Sequence, residues 1–477
     1  MWYTQKLMQK LLLTLVALAG LAHAQTWQPL TNQPSFGAGT SLLLTDGTVM
    51  VQEGNARVWW KLTPDSTGDY ANGTWSKLAP LPSGYSPLYY ASAVLPNGQV
   101  VVNGGEYNGG SKPVETNLGA IYNPVTNKWK SLAAPSGWSQ IGDGQSVVLP
   151  DGSYMLGNCC TSKQAILDFS TLKWTITGAG KADANSEEGW TLLPDGTVLT
   201  VDVSDEPNTE RYDPATGTWS SAGKTPVNLE DFSEMGPAIL RPDGTVFATG
   251  ASGKTAIYTP GTGGAVGVWT SGPDFPVIGG KQVDIADGPG ALLPNGDVLV
   301  AASPGAYNTP MTFYEFDGVN LNSVPGTPNA SRDSSYYGRM LVLPTGQIFF
   351  TDGSKDVELF TGPGVPNPAW APVIATAPAT VAPGKTYKIS GVGFNGMSQA
   401  SAYGDDAQSA TNYPLVRIAI GGNVYYCRTS GHSSMAVASP ATVSTNFEVP
   451  SGIPAGGGEL VVVANGIAST PVAVTVN

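Results

Sequence analysis

One ten-residue pattern constrains this chain more than any other feature. Two or three apolar residues, usually a Pro, then usually Asp-Gly or Asn-Gly, and then an apolar run recur seven times. The copy from Ala291 to Val300 (ALLPNGDVLV) is typical. Its glycines are Gly47, Gly98, Gly152, Gly196, Gly244, Gly296 and Gly346, spaced 44 to 54 residues apart. Asp-Gly and Asn-Gly favour the positive φ values of tight hairpin turns, so each copy forces a chain reversal between two strands. Hairpins repeating about every fifty residues predict a β-propeller, one blade per repeat.

Each repeat has a second half. An apolar-Tyr segment leads through a turn to a Trp, as in Ile121-Tyr122-Asn123-Pro124 before Trp129 and Arg211-Tyr212-Asp213-Pro214 before Trp219. Trp75, Trp174 and Trp269 hold the same place, and Leu321 replaces Trp in the sixth repeat. Two hairpins make a four-stranded blade, so seven blades are expected, with Tyr and Trp packing between them. Trp27, in Thr26-Trp27-Gln28-Pro29, resembles the last strand of a repeat yet precedes the first hairpin. Such a strand would complete the final blade and remove an open edge; Trp370 competes for that place.

The pattern ends near Trp370. A Pro/Ala-rich stretch follows, then strand-like segments at 386–394, 415–426, 446–450 and 459–476. Residues 371–477 are therefore expected to form an immunoglobulin-like (E-set type) β-sandwich. Ser398 to Pro414 interrupts it as a long polar loop carrying Tyr403, Asp405, Asp406 and Asn412. The fold expected is all-β: a seven-bladed propeller over residues 25–370 followed by the sandwich.

Residues 1–24 read as a secretory signal peptide. Lys6 and Lys10 are its basic region, Leu11 to Ala22 its apolar core, and Ala22-His23-Ala24 its cleavage site. No later stretch is long and apolar enough to span a bilayer, so the expected location is secreted, periplasmic or cell-surface. The 477-residue chain carries a net charge of −13, which repels phosphate backbones and excludes nucleic acid as a partner class. Its 60 Gly, 38 Pro and only 12% charged residues suit a turn-rich all-β protein. The three cysteines are Cys159, Cys160 and Cys427. Neighbouring Cα atoms lie about 3.8 Å apart, below the usual disulfide range. Buried thiols are thus expected at least as much as a bridge.

Propellers hold ligands at the mouth of the central channel, on the loops entering the innermost strands. Counting back seven residues from the hairpin Pro position gives Ala38, Tyr89, Asp143, Glu187, Met235, Asp287 and Tyr337; Arg241 lengthens the fifth repeat, so Glu234 replaces Met235. Equivalent positions face one axis. Asp143, Glu187, Glu234 and Asp287 should therefore converge, with Tyr89 and Tyr337 beside them and Arg332 nearby. Converging carboxylates repel one another and call for a cation, a basic partner or shared protons. The set predicts a metal site, calcium first, on Asp143, Glu187 and Asp287, or a ligand site for a carbohydrate or another small polar molecule. It would also serve as a paired general acid and base.

The repeats and the C-terminal domain resemble the kelch-type propeller of the galactose oxidase and glyoxal oxidase family. That resemblance covers nearly all of the mature chain and is architectural. It implies a secreted copper-radical oxidase, with a Cys cross-linked to a Tyr, an axial Tyr followed by His, and a second His from the C-terminal domain. Tyr336 matches the axial tyrosine, Tyr337 stands where the His belongs, and His432 is the C-terminal-domain candidate. Gly142-Asp143-Gly144 stands near the cross-linked Cys position. Phenol and carboxylate oxygens replace imidazole poorly on copper, so copper ranks below calcium. The first expectation is a ligand-binding protein. A copper-radical oxidase with altered ligands, using Tyr336, Tyr337 and His432, a carboxylate-based hydrolase or lyase, and a scaffold with a cell-surface partner stay open as alternatives.

Overall fold

The computed structural model describes residues 25–477 except Gly264, Asp405, Ala407 and Gln408; the expected signal peptide lies outside the described residues. Each Gly of the repeating hairpin has a positive φ, from 76° at Gly47 to 93° at Gly296. The Asp or Asn before it accepts from a backbone N–H two residues on, as Asp195 does from Thr197. Antiparallel hairpins follow directly from this local chemistry.

The described residues contain six separate four-stranded antiparallel sheets. The repeat around Gly296 departs from the expected seven regular blades. Its four strands, Gly290–Leu292, Val298–Pro304, Thr312–Phe316 and Leu321–Val324, belong to a seven-stranded sheet. The extra hairpin Val277–Ile278 and Lys281–Asp284 extends it through Val283–Pro304 pairing. Ser401–Ala402 joins at its inner edge. The long insertion thus converts one blade into a composite sheet.

Thr26–Pro29 settles the competition between Trp27 and Trp370. It pairs antiparallel with Glu358–Thr361, Thr26 opposite Thr361, and completes the last blade. Trp27 packs on Phe313, Phe350 and Phe360 at ring distances of 4.9, 5.4 and 4.9 Å. Its indole N–H donates to the Pro325 carbonyl of the preceding repeat. Trp75, Trp129 and Trp174 donate in the same way to Asn32, Ala79 and Ala133. In these four repeats the Trp ties its blade to the segment leaving the blade before it, whereas Trp269 donates to the Thr209 hydroxyl. Trp370 lies in a short 3-10 turn and covers Gly296, where a Cβ would come within 2.5 Å of its ring.

After residue 371 the strands form one nine-stranded pairing path. Asn423–Ser430 links its two parts, pairing through Asn423–Cys427 with Leu415–Ile420 and through Arg428–Ser430 with Val443–Glu448. Residues from strands along the whole path, including Val381, Ile389, Ile418, Phe447, Leu460 and Val474, share one core, so the sheet folds over on itself. It sits on the hairpin-turn end of the propeller. Thr429 donates to the Thr45 carbonyl, Gly431 to Pro96 and Met435 to Pro150. Cys159 and Cys160 are paired as an adjacent disulfide, and Cys427 is a buried free thiol. Among the described residues, no helix is long and apolar enough to cross a membrane.

Candidate functional site

The described residues of the insertion at 398–414 run up the central channel. The innermost strand of a blade presents unpaired backbone groups to the axis, and these need partners. Gln399 Oε1 accepts from Leu192 N–H at 2.7 Å, and Asp406 Oδ2 from Tyr90 N–H at 2.7 Å. Ser409 donates to the Ser41 carbonyl at 2.8 Å, Tyr403 to Tyr336 at 2.7 Å, and Tyr413 to Leu43. The insertion fills the channel, and its tip forms the floor of the opposite mouth. At Gly404 a Cβ would stand 2.8 Å from Asp287 Oδ1 and 2.9 Å from the Met235 carbonyl, so only glycine allows this approach.

Above that tip lies a cavity of about 440 Å³. Tyr89, Glu106, Tyr107, Asp143, Glu187, Glu234, Asp287, Tyr307 and Tyr336 line it. Five of the nine are carboxylates, and none is a Lys, Arg or His. The structure therefore brings together Tyr89, Asp143, Glu187, Glu234 and Asp287, with Glu234 rather than Met235 in the fifth repeat. Tyr89, Glu187 and Asp287 share left-handed φ values of 51°, 55° and 61°. That conformation costs a non-glycine residue on the order of 1–2 kcal/mol, and its recurrence at equivalent entries turns these side chains toward one axis.

Arg332 and Tyr337 do not join them. Arg332 is exposed in a turn. The seventh repeat has a 3-10 turn, Ser335–Tyr337, where the others enter directly. It points Tyr336 into the cavity and leaves Tyr337 46% exposed, its ring tilted 32° against that of Tyr336 with centroids 4.1 Å apart. His432 is at the other end of the molecule. Its backbone N–H donates to Pro96, its Nδ1 pairs with Thr445 Oγ1 at 2.9 Å, and burial lowers its pKa to about 3. Among the described residues, Tyr403, Gly404 and Asp406 of the insertion approach the mouth, against Tyr336, Asp287 and Tyr90. Glu106, Tyr107 and Tyr307 were not expected. Glu106 and Tyr107 follow the Asn103-Gly-Gly105 strand end, where Tyr107–Asn108 pairs with Pro87–Leu88; Tyr307, with φ 60°, has no register signal.

Carboxylate oxygens of Glu187, Glu234 and Asp287 lie within 4.8 Å of one another, and a separate group joins Glu115, Asp143 and Cys159 Sγ. Burial, then Glu234 and Glu187, push Asp287 well up. Burial and then Glu187 do the same to Asp143. Burial raises Glu234 to about 7 against the lowering hydrogen bond from Tyr307, and Glu115 to about 7. A carboxyl titrating near neutrality can act as an acid or a base. The compensating cation is Arg339, buried below the mouth. Its guanidinium lies 3.7 Å from the Tyr403 ring centre and 5.7 Å from that of Tyr89, and donates to the Tyr336 and Gly338 carbonyls.

No protein-family profile matches the chain. A kelch-like protein, terF, of Aspergillus terreus is 26% identical over 133 residues, 26% of this chain. The chain spans about a quarter of that relative's length. A fungal alcohol oxidase of the AA5 family, in complex with copper, superposes over 95% of this chain and 100% of its own, with TM-score 0.55 and 13% identity. The chain has the kelch-type propeller fold of the galactose oxidase-like proteins. A streptogramin B lyase covers 71% of this chain and 97% of its own at TM-score 0.50 and 11% identity. At these identities the likeness is one of fold.

The copper-radical ligand set does not fit this mouth. Of the expected ligands only Tyr336 lines it. His432, the one histidine among the described residues, is held at the opposite end, and Cys159 is bonded to Cys160. The donors present are hard carboxylate oxygens, which suit calcium-like cations or organic cations.

Proposed function

We propose that this chain is an exported binding propeller. Its mouth, floored by the 398–414 insertion, holds a small polar ligand, whether carbohydrate, metal-bridged or cationic. One observation carries the reading: five carboxylates converge on a single cavity with no basic side chain in its lining. The single guanidinium of Arg339 below the mouth cannot balance five carboxylates, so the rest of that charge calls for protons or a cationic guest. The left-handed φ values at Tyr89, Glu187 and Asp287 support it, because strain of this kind persists at sites where side-chain direction matters. The signal-like N-terminus of the sequence supports export. The finer features expected of the fold, seven blades and an immunoglobulin-like C-terminal domain, belong to the same reading.

The test is a thermal-shift screen of the mature protein with divalent cations, neutral sugars and organic amines at pH 8. A ligand should raise Tm, and Asp287→Asn and Asp143→Asn should abolish the rise without lowering the ligand-free Tm. A ligand effect that survives both changes would place the site elsewhere. The oxidase alternative makes the opposite prediction, peroxide release after copper loading, and is expected to fail for want of imidazole at the mouth.

A further inference from the structure

The cavity is too large and too divided for a bare ion. Its volume of about 440 Å³ lies in the range of small-molecule pockets. Its carboxylates fall into two groups. Glu187, Glu234 and Asp287, from the fourth, fifth and sixth repeats, cluster within 4.8 Å. Asp143, from the third repeat, forms a separate group with Glu115, with Glu106 also in the lining. Asp143 lines the cavity but is only 8% exposed, and its buried Oδ1 has no hydrogen-bond partner among the described residues. A buried carboxylate oxygen is costly to leave unpaired, so this atom marks where a donor belongs.

The remaining wall is aromatic. Tyr89 and Tyr107 meet edge to face with centroids 6.0 Å apart, as do Tyr307 and Tyr336 at 5.5 Å. Aromatic faces attract organic cations and cover methylene groups. A hydrated metal ion uses neither property.

Building on the binding role above, we propose that the mouth takes a linear organic polycation of the polyamine class. One ammonium group sits on Glu187, Glu234 and Asp287, the other on Asp143, and the methylene chain lies against the tyrosines. Neutral sugars would leave the carboxylates unbalanced, and anionic ligands would be repelled.

Calorimetry on the mature, metal-stripped protein tests this, with spermidine, putrescine, calcium chloride and glucose as probes in 150 mM salt. Spermidine should bind at one site per chain. Asp287→Asn and Asp143→Asn should each weaken it tenfold or more, with the ligand-free Tm not lowered. Proton release, read by repeating the titration at pH 7 in buffers of different ionisation enthalpy, should accompany binding, because raised carboxyls must ionise to pair with ammonium. Calcium or glucose binding that depends on Asp287, without amine binding, overturns the polyamine assignment and leaves the binding role standing. Amine binding indifferent to both substitutions, or no binding by any probe, overturns both.

Discussion

Neutralising Glu234 should make the ligand-free protein more stable, and only at high pH. Burial and neighbouring acids raise its carboxyl from 4.5 to about 7. Each tenfold change in acidity is about 1.4 kcal/mol, so holding Glu234 ionised at pH 8 costs the fold about 3 kcal/mol. Glu234→Gln removes that cost and weakens the bond from the Tyr307 hydroxyl by about 1–2 kcal/mol. The net gain is about 1–2 kcal/mol. Unfolding entropy of about 2 cal/mol/K per residue across residues 25–477 totals about 1 kcal/mol/K, so Tm should rise by about 1–2 °C at pH 8. A folded-state pKa above the unfolded one stabilises below pH 4.5, and that stabilisation is lost as pH rises through 7. The natural protein's Tm should therefore fall between pH 5 and 8, and the variant's should fall less. At pH 5 the variant should be no more stable than the natural protein. Scanning calorimetry at pH 5, 6, 7 and 8 reads both curves. A variant that melts lower at every pH, with an unchanged slope, would refute the claim that unbalanced acid at the mouth stores this energy.

Three further outcomes follow from other parts of the structure. Trp27→Ala should cost about 2–4 kcal/mol, by loss of three ring contacts and a hydrogen bond, and should lower Tm more than Trp370→Ala. Arg339→Met leaves Asp287 and Asp406 without their buried cation; it should destabilise by about 3–5 kcal/mol and steepen the fall of Tm with pH. Gly404→Ala pushes a Cβ against Asp287 Oδ1 and the Met235 carbonyl, so the channel tip should withdraw. Ligand affinity should fall about tenfold in calorimetry, with the far-UV circular dichroism unchanged.

The blades were legible because their signals are local. A Gly with forced positive φ, an Asp or Asn that bonds two residues on, and a Trp at fixed offset each act within a few residues. Counting back from the hairpin found Tyr89, Asp143, Glu187 and Asp287 because equivalent positions in a ring share an axis. The same count failed at Tyr337, where a 3-10 turn breaks the equivalence, and near Arg332, where the charge facing the cluster comes from Arg339 instead. The channel insertion was visible only as a polar loop. Its partners are set by distant contacts, Asp406 with Tyr90 and Ser409 with Ser41, and no period marks them. His432 drew notice as the one mature histidine, yet chain position gave no sign that it sits at the far end.

The closing strand sets an order of events for the molecule. Thr26–Pro29 is made first and pairs with Glu358–Thr361, made after nearly all the other blade strands. No shorter nascent chain can complete the ring, so the first strand to emerge waits as an open edge until the last blade arrives. Loop closure over such a span is slow, and exposed strand edges invite association between chains. Any truncation before residue 358 should yield an aggregating species rather than a smaller propeller. The channel insertion, which follows residue 397, can thread only a ring whose strands already exist. The floor of the mouth is therefore made after every strand of the blades it closes.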